Sequence, residues 1–237
     1  MNIVIPMAGQ GIRFSRAGYD IPKPLIDVQG QAMIQKAVES LDVPGKYIFV
    51  VLQEHLDKFP YLESLLLSLV PNSEVIITKQ ITDGPARTCL LAKRLIDNDH
   101  PLLIANCDQI MNWDGREFLK FCQSTPSQGI IATYNSDHPK NSFVQFDKNG
   151  NVTGIIEKVP ISNIATIGIY WWMKGKYFVE AAASMIALNE TYNNEFYVGP
   201  AYNQLLKKNG FTVSCYHVEQ PFLVGTPEDL ERYLQAV

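Results

Sequence analysis

Short apolar runs alternate with helical periods through the first half of this chain, and that alternation limits the folds open to it. Asn2–Met7, Lys46–Leu52, Glu74–Thr78 and Pro101–Asn106 read as strands. Ala32–Leu41, Gln53–Val70 (stopped by Pro71) and Ala86–Ile96 read as helices between them. Strands spaced by helices in this way predict βαβ units and a mostly parallel sheet, an α/β architecture. A run without a polar face, such as Leu102-Leu103-Ile104-Ala105, suits a strand covered on both sides.

The second half changes character. Gly129–Tyr134, Ser142–Asp147, Val152–Val159 and Ile164–Met173 read as strands with little room for helices, and Asn149-Gly150 is a hairpin signal. Gly175–Leu188 and Val198–Lys208 then read as helices and Phe211–Val218 as a strand. Thr226 caps a final helix to Ala236, with Pro227 at its first position. Nothing resembles a linker, so residues 1–237 are expected to form one domain. Its halves, about 1–125 and 126–237, would be a ligand-binding α/β part and a grafted β lobe.

Charge and composition remove several function classes. Twenty Lys and Arg against 24 Asp and Glu leave a net charge of −4, where a nucleic-acid binder would show a basic excess. No apolar stretch approaches the roughly 20 residues of a spanning helix. The start, Met1-Asn2-Ile3-Val4-Ile5-Pro6, lacks the basic and apolar regions of a signal peptide. Four cysteines without a C-x-x-C pair, and four histidines without zinc-site spacing, argue against a disulfide framework or structural zinc and for a cytoplasmic setting.

The most informative segment follows the first strand: Met7-Ala8-Gly9-Gln10-Gly11-Ile12-Arg13-Phe14, then Pro22-Lys23-Pro24-Leu25. A glycine turn after a strand lets backbone N–H groups approach phosphate oxygens unobstructed by a Cβ. Between residues 10 and 26, Arg13, Arg16 and Lys23 face only Asp20, a local charge of +2 within an acidic chain. That cluster suits the anionic charge of a nucleoside triphosphate, and the flanking prolines stiffen the backbone that carries Lys23.

Gly9-x-Gly11-x-Arg13 and Pro22-Lys23-Pro24-Leu25 resemble the signature of sugar-1-phosphate nucleotidyltransferases and their cytidylyltransferase relatives. Met7-Ala8-Gly9-Gln10 replaces the usual L-A-G-G. Gln80-Ile81-Thr82-Asp83-Gly84-Pro85-Ala86 is similar to the Q-x-x-x-G-x-A segment that reads the nucleobase. Leu103-Ile104-Ala105-Asn106-Cys107-Asp108 sets a carboxylate just past a strand. Glu157-Lys158, the strand holding Gly168, and Glu195 resemble the elements that contact the acceptor. The resemblance covers nearly the whole chain. It implies a Rossmann-like mixed, mostly parallel sheet flanked by helices, of the nucleotide-diphospho-sugar transferase type, with a small acceptor-binding β lobe.

It also implies a Mg²⁺-dependent reaction in which an acceptor phosphate attacks the α-phosphorus of a triphosphate and releases pyrophosphate. Arg13 and Lys23 would be catalytic, with Arg13 steadying the leaving phosphates. Met7, Ala8, Gly9, Gly11, Gln80, Gly84 and Asn106 would bind nucleotide, and Glu157, Lys158, Gly168 and Glu195 the acceptor. Asp108 would hold the metal, since Mg²⁺ takes one or two carboxylates plus phosphate oxygens.

Two departures bear on the substrate. A second metal-binding carboxylate usually precedes a G-T-x-x-D-L segment; here that segment is Gly225–Leu230 and Val224 stands where the acid would fall. Asn141-Ser142-Phe143 replaces a Tyr-Gly pair that leaves room for a pyranose. The wording is similar to capsule-pathway cytidylyltransferases of the phosphoglutamine type, which implies CTP, a small phosphorylated acceptor and a part in capsule or surface-polysaccharide precursor synthesis. The alternatives are a sugar-1-phosphate uridylyl-, thymidylyl- or guanylyltransferase, a nucleotide-sugar glycosyltransferase and a non-catalytic nucleotide sensor. Asn106-x-Asp108 lacks one acid of a glycosyltransferase D-x-D, and Val224 motivates the sensor. The chain is too short for the hexapeptide-repeat tail of the acetyltransferase fusions. Trp171-Trp172 reads either as core or as the surface of a homo-oligomer.

Overall fold

The computed structural model describes residues 1–236. The first half comprises β1 (Asn2–Met7), α1 (Ile12–Arg16), a 3₁₀ turn at Lys23–Leu25, β2 (Asp27–Val28), β3 (Gln31–Ala32) and α2 (Met33–Leu41). It continues with β4 (Lys46–Leu52), α3 (Gln53–Lys58), α4 (Tyr61–Leu69), β5 (Glu74–Thr78), α5 (Pro85–Leu90), α6 (Lys93–Ile96) and β6 (Leu102–Ala105). After β7 (Gln109–Ile110) and α7 (Gly115–Ser124) come β8 (Gly129–Asn135), β9 (Ser142–Phe146), β10 (Val152–Glu157) and β11 (Ile164–Trp172). α8 (Gly175–Ala187), α9 (Val198–Leu206), β12 (Val213–His217), β13 (Phe222–Leu223) and α10 (Pro227–Ala236) complete it.

One mixed sheet carries the strand order β10-β9-β11-β6-β1-β4-β5, with β8 set between β11 and β12. β1 pairs in parallel with β4 and β6, β4 with β5, and β8 with β12, while β11 is antiparallel to β6, β8 and β9. The expected Rossmann-like α/β architecture is present. Alternate residues of the central strands feed two cores. Val4, Ile48, Val50 and Ile104 face one side, and Ile3, Ile5, Phe49, Val51 and Leu103 the other. All nine are wholly or almost wholly removed from solvent, which is why these strands read as continuous apolar runs.

β11 is shared in a way that creates the site. β8 pairs with one edge, its register shifting between Thr166 and Tyr170. On the other edge, β6 ends with Ala105 opposite Ile169, and β9 joins through Phe143 opposite Ala165. Thr166, Ile167 and Gly168 face the gap between them. Chain order β1, β4, β5, β6 also reverses direction at β1, so a crevice opens past the carboxyl ends of β1 and β6, as at other topological switch points.

Several expected elements differ locally. The helix expected over Gln53–Val70 breaks at Phe59, because the ring of Pro60 disfavours helical geometry in the residue before it. The helix expected over Ala86–Ile96 divides at Leu91-Ala92, where hydrogen bonds tighten to Thr88 and Cys89. The expected strand to Val159 stops at Glu157, since Lys158 adopts a φ of 55°. α7 was not anticipated, although Asp114 caps it by accepting from the N–H groups of Arg116 and Glu117. Trp171 and Trp172 are buried, and Trp172 stacks on Tyr202 at 3.7 Å, so this pair belongs to the core rather than to an oligomer surface. Among the described residues no helix is long and apolar enough to cross a membrane, and the four cysteines are unpaired.

Candidate active site

Two cavities open in the crevice and share a wall. The first, of about 300 Å³, is bounded by the β1 loop (Met7 to Ile12), Lys23, the turn at Ile81–Pro85, Asn106, Asp108 and Glu195. The second, of about 200 Å³, is bounded by Arg13, Gln109, Lys140, Glu157, Lys158, Gly168, Tyr197 and Asp229, and again by Asn106 and Asp108. Asn106 and Asp108 follow β6 and are the residues common to both linings.

Each wall has a local cause. Gly11 turns the chain at φ 62°, and its carbonyl accepts from the N–H groups of Phe14 and Ser15 to start α1. A Cβ there would stand 3.2 Å from the Lys23 Cβ, so the glycine lets the two segments close together. A Cβ on Gly9 would meet nothing within 4 Å, which leaves its backbone open to the first cavity. Lys23 Nζ donates to Asp108 Oδ2 at 2.8 Å, and Gln109 Nε2 donates to Asp108 Oδ1 at 2.8 Å. Burial works against the Lys23 ammonium, but the charge and hydrogen bond of Asp108 outweigh it and hold the pKa above the ordinary lysine value. Cys107 between them is buried, and burial pushes its thiol up to about 11, so it is a spacer and not a nucleophile.

Gly168 fixes the shared wall. Its φ is 97°, and a Cβ would fall 2.4 Å from Asn106 Nδ2 and 2.8 Å from Gln109 Nε2. The backbone N–H of Asn106 donates to the Gly168 carbonyl at 3.2 Å. Across the second cavity, Ser142 Oγ donates to the buried Glu157, whose pKa burial raises above the usual carboxylate value. Lys158 Nζ stands 4.0 Å from Glu157 Oε1 and donates to the Tyr197 hydroxyl at 2.8 Å. Glu157-Lys158 is therefore part of a cavity wall. At the far side Asp229, 7 % exposed in its side chain, takes Lys140 and Arg232 at 2.5 Å each, and its own N–H donates to Thr226 Oγ1.

Most residues named from the sequence meet here, Gly84 among them, with three differences. Gln80 is exposed and lies outside the first lining, where Ile81 and Thr82 stand instead. Arg13, carried one residue into α1, lines the second cavity and not the first. Glu195 lines the first cavity and not the second. Gly84, at φ 118°, makes room for the backbone of Phe196, since a Cβ would stand 2.4 Å from its nitrogen.

Val224 requires a correction. Its side chain is wholly buried with Phe14, Ile26 and Leu230, so it does not occupy the place of a metal ligand. Its neighbours Leu223 and Gly225 line the second cavity, and a Cβ on Gly225 would come within 2.8 Å of Asp108 Oδ2. Phe143 likewise leaves the cavity open: it is fully buried elsewhere, and only Asn141 and Ser142 reach the lining. Lys140, Gln109 and Tyr197 carried no motif signal. Their roles arise from pairing and turns distant in sequence, as when Leu223 of β13 aligns with Gln109 of β7.

No cluster of three acid, histidine or cysteine side chains suited to a metal exists among the described residues. One carboxylate, Asp108, borders both cavities. That donor set fits an ion such as Mg²⁺ only where the ligand's own phosphate oxygens complete the shell.

Comparison with known proteins adds to this geometry. A family model described as "Nucleotidyl transferase" matches residues 3–211. The bifunctional protein GlmU of Methanococcus aeolicus is 25% identical over 97% of this chain and 53% of its own length. The mannose-1-phosphate guanylyltransferase catalytic subunit beta of Dictyostelium discoideum is 24% identical over 72% of this chain and 49% of its own. The chain thus spans about half the length of these curated relatives. A nucleoside-diphosphate-sugar pyrophosphorylase from Vibrio cholerae RC9 superposes with a TM-score of 0.84 at 24% identity, covering 98% of this chain and 99% of that one, a likeness of fold.

Proposed function

The chain belongs to the nucleotidyl transferase family, and on that premise we propose that it joins a nucleoside monophosphate to the phosphate of a sugar 1-phosphate and releases pyrophosphate. One observation carries the reading: two cavities of suitable chemistry meet at Asn106 and Asp108. The first would hold the triphosphate against the backbone of Ala8, Gly9 and Gly11. The second would hold the acceptor between Glu157, Lys158 and the Gly168 turn.

In the step itself an acceptor phosphate oxygen forms a bond to the α-phosphorus, and the bond from that phosphorus to the bridging oxygen of the pyrophosphate breaks. The attacking oxygen is already ionised at neutral pH, so no general base is required. Catalysis is alignment and charge neutralisation. Lys23 keeps its proton beside Asp108 and offsets charge on the α-phosphate. Arg13, lying on the second cavity, is assigned to the acceptor's phosphate rather than to the leaving pyrophosphate. Asp108, with phosphate oxygens, would hold Mg²⁺, which screens the repulsion between two anions.

The relative named for mannose 1-phosphate favours a sugar 1-phosphate over the cytidylyl reading. That second reading, with CTP and a non-hexose acceptor of capsule synthesis, rests partly on Ser142 and Phe143 filling acceptor space; Ser142 lines the second cavity and Phe143 lies outside it. The unpaired cysteines fit a cytoplasmic enzyme. A coupled pyrophosphate assay tests the proposal, with UTP, dTTP, GTP and CTP each offered against glucose 1-phosphate, mannose 1-phosphate, glucosamine 1-phosphate and phosphocholine. Release with at least one sugar phosphate is expected. Release with phosphocholine alone would revive the second reading, and tight triphosphate binding without release anywhere would leave a sensor.

A further inference from the structure

Three consecutive residues between α8 and α9 face three different parts of the site. Glu195 lines the first cavity. Phe196 is locked into the turn beside that cavity: its N–H donates to the Asp83 carbonyl at 2.8 Å, and its carbonyl accepts from Ala86 at 2.9 Å. Only a glycine at 84 allows that docking. Tyr197 lines the second cavity. The segment is itself stiff, since Tyr192 and Glu195 exchange backbone hydrogen bonds of 3.0 Å around Asn193 and Asn194, both at positive φ.

Side chains continue the link. The Tyr197 hydroxyl donates to Glu195 Oε2 at 2.5 Å and accepts from Lys158 Nζ at 2.8 Å. The ammonium of Lys158 also lies 4.7 Å from the Tyr197 ring centroid and 5.1 Å from that of Tyr192, within cation–π range. Lys158 needs such ties, because its own backbone sits at φ 55°, a conformation that side-chain-bearing residues seldom adopt. A two-bond relay thus runs from a carboxylate on the first cavity to a cation on the second.

We propose that Tyr197 is a positioning residue that aims Lys158 at the acceptor and ties its placement to occupancy of the nucleotide cavity. The inference rests on the two-cavity reading of the proposed function. A triphosphate seated against Ile81–Gly84 and Glu195 bears on the same segment that carries Tyr197, so it orders Lys158 without touching it. By thermodynamic reciprocity, an acceptor on Lys158 tightens triphosphate binding by the same factor.

The test follows Lys158 directly and needs no knowledge of the acceptor. Full-length wild-type, Tyr197→Phe and Glu195→Gln proteins are treated with limiting acetic anhydride, with and without each of the four triphosphates plus Mg²⁺. Modification of Lys158 is then quantified by mass spectrometry. Loss of a hydrogen bond to a charged group predicts acetylation of Lys158 about tenfold faster in nucleotide-free Tyr197→Phe than in wild type. The bound triphosphate slows it in wild type and not in Tyr197→Phe, while Glu195→Gln, which still accepts from the tyrosine, follows wild type. In steady state Tyr197→Phe raises the KM for the sugar phosphate about tenfold with little change in kcat, and the tightening of triphosphate by bound sugar phosphate is lost with it. Equal nucleotide-free rates in wild type and Tyr197→Phe, or equal slowing by triphosphate in both, would overturn the inference. Absence of pyrophosphate release in wild type would instead sink the proposed function, while the nucleotide-free rates still decide the role of Tyr197.

Discussion

Lys23 and Asp108, 85 positions apart in sequence, form a 2.8 Å ion pair on the wall where the two cavities meet. The pair explains how a proline-flanked lysine can be aimed, and how one carboxylate can serve both compartments. Lys23→Ala is expected to lower pyrophosphate release by roughly 10²–10³-fold, the scale of losing one preorganised charge stabiliser. It also leaves Asp108 without its cation, so the melting temperature falls while the circular dichroism of the fold persists. Near-normal turnover in folded Lys23→Ala protein would remove Lys23 from the mechanism.

Val224 and Leu223 separate two accounts of the missing second acid. Val224 is buried among apolar side chains, so Val224→Asp places a carboxyl where nothing pairs with it and costs several kcal/mol, about 3 or more. Leu223 borders the second cavity, so Leu223→Asp is tolerated and lowers the Mg²⁺ concentration needed for half-maximal activity. Thermal melts and metal titrations read both. Equal stability of the two variants would contradict the placement of Val224.

Gly168 is expected to resist even the smallest substitution. An alanine would be strained at φ 97° and would drive its methyl into Asn106 and Gln109. Strain and displacement together predict a loss of roughly 1–3 kcal/mol in stability. Because Asn106 and Gln109 set the shared wall, kcat should fall by more than the folded fraction does. Urea titration beside single-turnover kinetics distinguishes the two effects.

Glu157 makes stability depend on pH. Burial raises its folded pKa above the ordinary carboxylate value, so the folded chain binds the proton more tightly than the unfolded chain. Its favourable contribution is present below the ordinary carboxylate pKa and is lost as pH rises through the raised value. Glu157→Gln abolishes that dependence. The variant should therefore gain in urea midpoint relative to wild type between acidic and neutral pH, while its KM for the acceptor rises. A constant difference across that range would show that Glu157 titrates normally.

Much of this was legible in the sequence because the relevant signals are local. Apolar runs announced β1, β4, β5 and β6, and the glycine-rich turn and Pro22-Lys23-Pro24 announced the first cavity. The second cavity was legible only in part. Glu157, Lys158 and Gly168 sit in recognisable segments, whereas Tyr197 and Lys140 matter through contacts made 39 and 89 residues away that no spacing rule reports. Val224 misled because neighbouring residues on an extended segment face opposite ways, so an offset of one exchanges cavity for core. Gln80 misled similarly: its turn presents Ile81 and Thr82 instead.

In the proposed reaction the two cavities pass a nucleoside monophosphate from one ligand to the other. Following label from the triphosphate tests this most directly, using the triphosphate and sugar 1-phosphate that give the greatest pyrophosphate release. With ³²P at the α position, label is expected in a product that carries the sugar phosphate; with ³²P at the γ position, it is expected in pyrophosphate alone. Label from either position in free nucleotide or inorganic phosphate, with none joined to the acceptor, would contradict it.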